Sequence, residues 1–288
     1  IPRRKLRAGS SPALGTKFLM IHIQEVASHK TQCSLGEGIF VRNRNAFWVD
    51  INNNHIFNSE NKDIIKTDLK PSVIFNQTDK NLIVGSDKGI AEVNFEHKTE
   101  KLLIEICHHD FNLFRSNDGV FINGNYFLGF MHRTDPINNK GKIYIANKKE
   151  IIEIDNEIFI PNSFIALQDS SILISDSKEG KIWKFNIEEN KIEKNIWKDL
   201  GSKFSPDGGC RIKDLIFISF WGDSSIWVFN EQAEILDKLN LPFKNPSNCK
   251  YDPKGKKLWV TSAREGLSKM DLSMYPQSGD TKVFKLKY

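Results

Sequence analysis

The chain has 288 residues, 39% of them hydrophobic, with 18 glycines, a composition that excludes a largely disordered polypeptide. Four cysteines are too few for a disulfide scaffold, and no apolar run approaches the ~18 residues of a membrane helix. The net charge of +5 sits in the first 17 residues (Arg3, Arg4, Lys5, Arg7 and Lys17, with no acid), so the remainder balances at 36 against 36 and offers no bulk field for nucleic acid.

Residues 1–19 carry a Gly-Ser-Ser-Pro stretch and scattered basic residues without apolar periodicity. The best apolar run, Phe18-Leu19-Met20-Ile21, is shorter than the roughly 7–15 residues of a secretory core. They read as a flexible leader ahead of a natural start at Met20, with residues 20–288 forming one domain. Ile21-His22-Ile23-Gln24-Glu25-Val26 then alternates like a strand.

From Glu37 onward one phrase repeats: a small polar or acidic residue, a strand, a turn, a strongly apolar strand, and two further strands separated by polar turns. It begins at Glu37 with Glu37-Gly38-Ile39-Phe40-Val41 followed by Ala46-Phe47-Trp48-Val49-Asp50. It returns at Ser72, then at Asn117 with Tyr126-Phe127-Leu128-Gly129. Further copies start at Asn162, with Ser171-Ile172-Leu173-Ile174-Ser175-Asp176, at Asp207, with Leu215-Ile216-Phe217-Ile218-Ser219, and at Asn248. Start-to-start spacings are 35, 45, 45, 45 and 41 residues. A period of ~40–50 residues with four short strands per unit predicts an all-β, six-bladed β-propeller of four-stranded antiparallel blades around a central channel.

The second strands of each unit are near-continuous apolar runs, as strands covered on both faces require. The third strands, such as Lys181-Ile182-Trp183-Lys184-Phe185 and Ser225-Ile226-Trp227-Val228-Phe229, suit a pleated surface. Trp183, Trp227 and Trp259 read as packing between blades. Lys101–Cys107 is assigned as a fourth strand from its place in the repeat, and no segment has a helical stripe. The 21–26 strand is expected to pair with the last blade and close the ring.

The innermost strands line the channel, so the six repeat starts (Glu37, Ser72, Asn117, Asn162, Asp207 and Asn248) converge on one axis. Their oxygens suit a hard cation: Ca²⁺, Mg²⁺ or Mn²⁺. A water-filled polar channel is the alternative. Without a cation, Glu37 and Asp207 repel, and one takes up a proton.

Leu35-Gly36-Glu37-Gly38, Arg115-Ser116-Asn117-Asp118-Gly119, Ile160-Pro161-Asn162-Ser163 and Pro206-Asp207-Gly208 together resemble the signature stretches of the SMP-30/gluconolactonase/luciferin-regenerating enzyme family. The resemblance runs from about Leu35 to Ala263. It implies one divalent metal, foremost Ca²⁺ with Mg²⁺, Mn²⁺ or Zn²⁺ as options, held by Glu37, Asn162 and Asp207. It also implies substrate contacts from Arg115 and Asn117, a water-activating role for Asp207, and a sugar lactone as the small-molecule substrate. Asn117 could also approach the metal. Gly129-Phe130-Met131, Gly208-Gly209 and Glu37-Gly38-Ile39 depart from the family pattern, and bulky Phe130 with neighbouring His132 is expected to reshape the substrate pocket; His132, in the same blade as Arg115, is a candidate substrate contact, with a solvated position as the alternative.

Cys107-His108-His109-Asp110 lacks zinc-ligand partners at defined spacing and reads as a surface loop. Cys33, Cys107, Cys210 and Cys249 read as reduced thiols of a cytoplasmic protein. Phe47-Trp48-Val49-Asp50 resembles the phrase repeated in extracellular protein-binding propellers but occurs once. Two other functions stay open: a non-enzymatic Ca²⁺-binding or scaffold propeller, and a hydrolase of phosphotriesters or aryl esters.

Overall fold

A computed structural model describes residues 20–60, 63–106, 110–188 and 191–287. The leader assigned to residues 1–19 therefore lies outside the described residues, as do Cys107, His108 and His109 of the candidate cluster.

Before the repeats runs β1 (His22–His29). The first blade holds β2 (Gly36–Arg42), β3 (Asn45–Asp50), β4 (His55–Asn58) and β5 (Ile64–Lys66). The second holds β6 (Pro71–Gln77), β7 (Asn81–Ser86), β8 (Gly89–Asn94) and β9 (Thr99–Glu105). The third holds β10 (Phe114–Ile122), β11 (Asn125–His132), β12 (Lys142–Ala146) and β13 (Ile151–Asp155). The fourth holds β14 (Pro161–Ala166), β15 (Ile172–Asp176), β16 (Lys181–Glu188) and β17 (Lys191–Asp199). The fifth holds β18 (Ser205–Ile212), β19 (Leu215–Trp221), β20 (Ser225–Asn230) and β21 (Ile235–Asn240). The last comprises β22 (Asn245–Asp252), β23 (Lys257–Ala263) and β24 (Thr281–Lys287), completed by β1.

All pairings are antiparallel. β1 lies on β24 from His22↔Lys287 to His29↔Thr281, so the predicted closing strand does seal the ring. β9 takes the position expected of the 101–107 segment.

Six apolar clusters hold the ring, one at each junction between neighbouring blades. Ile74, Val84 and Val93 of the second blade meet Phe47, Val49 and Ile56 of the first. Trp227 and Phe229 of the fifth blade pack with Leu173 and Ile182 of the fourth, and Trp259 of the last packs with Trp48 of the first. These tryptophans are buried and serve packing, as expected. Because each central strand faces two neighbours, its apolar residues do not alternate: Leu82, Val84, Ile216, Phe217 and Ile218 are all buried.

One helix was not legible in the sequence. α1 (Lys269–Met274) sits between β23 and β24, with Ser268 Oγ accepting from Asp271 N at 3.1 Å and Asp271 Oδ2 accepting from Ser268 N at 3.0 Å. Six residues are too few to show a stripe. No helix among the described residues is long and apolar enough to cross a membrane.

Candidate active site

At one mouth of the channel lies a cavity of about 170 Å³. Glu37, Arg115, Asn117, Asn162 and Asp207 line it, together with Met131, Trp221 and Glu265. The first five come from four blades, separated by up to 170 positions in the chain. The volume falls below the roughly 300–1,000 Å³ of drug-sized pockets, so the cavity suits a small polar ligand.

Local backbone features aim these side chains. In the first, third, fourth, fifth and last blades the inner strand shifts register against its neighbour beside the functional residue: after Glu37, after Ser116, after Asn162, after Pro206 and after Pro246. Such bulges bend a strand and redirect a side chain. In the first blade the bulge needs Gly38, whose φ is +53° and whose missing Cβ would lie 2.3 Å from the Ser72 carbonyl oxygen. In the fourth, Ser163 takes the same conformation at φ 54°, and its hydroxyl donates to the Asp207 main-chain carbonyl, tying together the strands that carry Asn162 and Asp207.

Buried carboxylates fix the approaches. Asp50, at the end of β3, accepts from Ser34 N at 2.8 Å and Leu35 N at 3.0 Å, just before Glu37. Asp176, at the end of β15, does the same for Phe159 N at 3.0 Å and Ile160 N at 3.3 Å, just before Asn162. Asp50 of the Phe47–Asp50 phrase is therefore a scaffold for the site.

Arg115 Nη1 donates to Asn117 Oδ1 at 2.8 Å, and Asn117 Nδ2 donates to Asn162 Oδ1 at 2.9 Å and to Pro161 O at 3.0 Å. Asn162 Nδ2 donates to Ser177 Oγ at 2.8 Å. Glu37 Oε2 accepts from Gly38 N at 3.1 Å and Asn248 Nδ2 at 3.3 Å, and Asp207 Oδ1 accepts from Gly208 N at 3.0 Å. A Cβ at Gly208 would lie 2.3 Å from the Asn248 carboxamide, so glycine there lets Asn248 reach Glu37.

Burial pushes Glu37 up to about 8, helped by the charge of Asp118. Burial, then Glu37, then Asp118, hold Asp207 well above the usual carboxylate range. Burial also lowers Arg115 from its ordinary value. The expected repulsion between Glu37 and Asp207 is thus present.

The donor set fits a hard divalent cation. It offers two buried carboxylates and the Asn162 carbonyl oxygen, with no nitrogen or sulfur donor, and an ion would relieve the mutual repulsion. A metal cluster built from His, Cys, Asp and Glu alone is absent among the described residues; here the set mixes acids with a carboxamide.

Other expected residues fall elsewhere. His132 does not line the cavity: its Nδ1 accepts from Asp135 N at 3.1 Å and its ring packs edge-on against Phe114. Phe130 is fully buried in the junction between the second and third blades, against Tyr144. Side chains alternate along β11, so Met131, between them, faces the cavity instead. Of the six repeat starts, Ser72 and Asn248 do not line this cavity; Asn248 holds Glu37 and lines the channel beyond it, beside Asp118. Asp118 was legible only as part of the Asn117-Asp118-Gly119 phrase. It is buried beneath the site, accepts from Phe164 N at 3.5 Å, and is itself raised by burial. Glu265 and Trp221 carried no signal: Glu265 enters from the segment after β23, and Trp221 closes β19, where it reads as one more apolar residue of a second strand.

A family model described as the SMP-30/gluconolactonase/LRE-like region matches residues 35–264. Among curated proteins, diisopropyl-fluorophosphatase from Loligo vulgaris is 26% identical over 136 residues, a match covering 42% of this chain and 42% of that protein. Among solved structures, regucalcin from Agrobacterium tumefaciens, described as calcium-binding, superposes with a TM-score of 0.81 at 22% identity, over 90% of this chain and 93% of that one. A luciferin-regenerating enzyme gives 0.78 at 18% identity over 93% and 96%. A gluconolactonase from Xanthomonas campestris gives 0.69 at 13% identity over 96% and 94%. At these identities the structures establish the fold.

Proposed function

The chain belongs to the SMP-30/gluconolactonase/LRE-like family, and on that premise we propose that it is a metal-dependent hydrolase that opens a sugar lactone to its hydroxy acid. The observation that carries this reading is the convergence of Glu37, Asn162, Asp207, Asn117 and Arg115 on one small cavity. Glu37, Asn162 and Asp207 would hold a divalent ion, Ca²⁺ foremost, which supplies Lewis acidity at the lactone carbonyl oxygen and the positive charge that lets both acids ionise together.

The chain's own residues do the rest. Asp207, as a carboxylate, accepts the proton of the attacking water at a carboxylate oxygen; Oδ1 is already engaged by Gly208 N, which leaves Oδ2 for the task. Arg115 is half-buried at the cavity and presents its guanidinium to the ring hydroxyls and to the carboxylate being formed. Asn117 is already committed: its amide nitrogen serves Pro161 and Asn162, and its oxygen accepts from Arg115. Its role is to set the position of Arg115 relative to Asn162, with one acceptor site on Oδ1 left for a substrate hydroxyl. Trp221, Met131 and Ile160 exclude water from the mouth. The buried unpaired thiols Cys33, Cys210 and Cys249 suit a reducing compartment, and the proposal places the protein in the cytoplasm.

Phosphotriester hydrolysis is the second reading, favoured by the match to diisopropyl-fluorophosphatase. The test is a panel of aldonolactones, aryl esters and one phosphotriester, run on EDTA-stripped protein with Ca²⁺, Mg²⁺, Mn²⁺ or Zn²⁺ restored in turn. Metal-restored turnover of lactones above the other classes is expected. A thermal shift with metal but no turnover of any class would leave a cation-binding scaffold in its place.

A further inference from the structure

The opposite mouth of the channel opens into a larger cavity of about 810 Å³. The far ends of five inner strands build it: Phe40 and Val41 from β2, Val120 from β10, Phe164–Ala166 from β14, Gly209–Ile212 from β18 and Lys250–Tyr251 from β22. Its chemistry is opposite to that of the first mouth. Arg211, Lys213, Lys250 and Lys256 line it, and among the described residues no Asp or Glu does. The rest of the wall is largely apolar or aromatic.

Two of the cations are built into the wall. Arg211 and Lys250 are half-buried, whereas Lys213 and Lys256 sit exposed on the hairpins at the rim. Arg211 Nη1 is shielded from water and makes no hydrogen bond; its ion pair with Glu231 Oε1 is a long one, at 4.0 Å. An orphaned guanidinium N–H is costly unless an acceptor arrives. Outside residues 1–17 the chain has no excess of positive charge, so four cations around one concavity are a local concentration and not a bulk property.

From this convergence we infer that the far mouth is a second ligand site, one that binds a small molecule carrying a phosphate monoester on an apolar body. The dianion sits among Arg211, Lys250 and the rim lysines; the body lies against Phe40, Phe164 and Tyr251. Arg211 offers the fork that phosphate oxygens accept in pairs. The site is independent of the hydrolase reading, since it shares none of the residues assigned to turnover.

The experiment is calorimetric titration of the full chain with phenyl phosphate, inorganic phosphate and phenol, with NMR mapping of the aromatic resonances. Saturable binding of phenyl phosphate with a Kd of about 1 mM or tighter, and weaker binding of inorganic phosphate and phenol, is expected. Arg211→Gln and Lys250→Gln should each weaken it about tenfold, and the exposed rim variant Lys213→Glu, which keeps the fold, should weaken it several-fold. Arg115→Gln, at the other mouth, should leave it unchanged. The inference is overturned if phenyl phosphate binds no better than inorganic phosphate, if binding does not saturate, or if Arg115→Gln abolishes it while Lys250→Gln and Lys213→Glu do not.

Discussion

Asn117 Nδ2 donates to Asn162 Oδ1 at 2.9 Å across the gap between the third and fourth blades. The same carboxamide accepts from Arg115, so one side chain links the guanidinium to an oxygen of the proposed cation site. Asn117→Ala should therefore disturb both functions at once. We expect kcat/KM to fall about 100-fold and calcium affinity to weaken several-fold, with kinetics and calorimetry as the measurements. A change in KM alone would reduce Asn117 to a simple substrate contact.

Arg115→Ala should separate the two functions. Loss of a charge-assisted contact of about 1.5–3 kcal/mol corresponds to a roughly 10- to 150-fold fall in kcat/KM. Calcium affinity, measured by titration, should stay within about twofold of the parent. Unchanged kinetics would remove Arg115 from the site.

Asp207→Ala removes both a cation oxygen and the proton acceptor. Turnover should drop at least about 10³-fold and calcium binding should weaken in the same variant. Near-normal rates would refute the assigned role.

Glu37, Asn117, Asn162 and Asp207 were readable because they recur at one point of a repeated phrase, where the fold must turn them toward a common axis; Arg115 stands outside that position and was legible only through the family resemblance. What was not readable follows from strand geometry. Phe130 and His132 were expected at the pocket, but residues on either side of one strand position share a face, and Met131 takes the inward one. The bulges beside Glu37 and Asn162 had no consistent sequence mark: glycine supplies the positive φ in one blade and serine in another. Asp50 and Asp176 were visible as strand ends, yet their work is to hold main-chain amides about 15 positions earlier, a relation that appears only after the strands pair. The leader and the Cys107–His109 stretch fall outside the described residues.

Acidity gives a further test. The folded value of Glu37 is about 8, above its ordinary 4.5, and Asp118 and Asp207 are also raised. The native state thus holds more protons than the unfolded chain between about pH 4.5 and 8, and these groups make the metal-free protein less stable as pH rises through that window. Added calcium competes with those protons, so the calcium-induced rise in Tm should be larger at pH 8 than at pH 5. Differential scanning fluorimetry with EDTA or Ca²⁺ decides it. A pH-independent shift would mean that neither acid loses a proton on binding.

Gly38→Ala should destabilise the protein by at least about 2 kcal/mol, because a Cβ at positive φ meets the Ser72 carbonyl oxygen at 2.3 Å. Urea unfolding measures it. Gly124→Ala is the control: its φ is also positive, +81°, but no atom lies within 4 Å of its Cβ, so it should cost clearly less.

The pairing of β1 with β24 has a consequence for biosynthesis. His22 and Lys287 are partners, so a strand made at the start of the ring waits for one made at its close. Five blades can assemble as the nascent chain lengthens, but the sixth stays incomplete, with an open edge, until the ribosome has delivered β24. Interrupted translation would leave that edge exposed, and chaperone engagement should concentrate there.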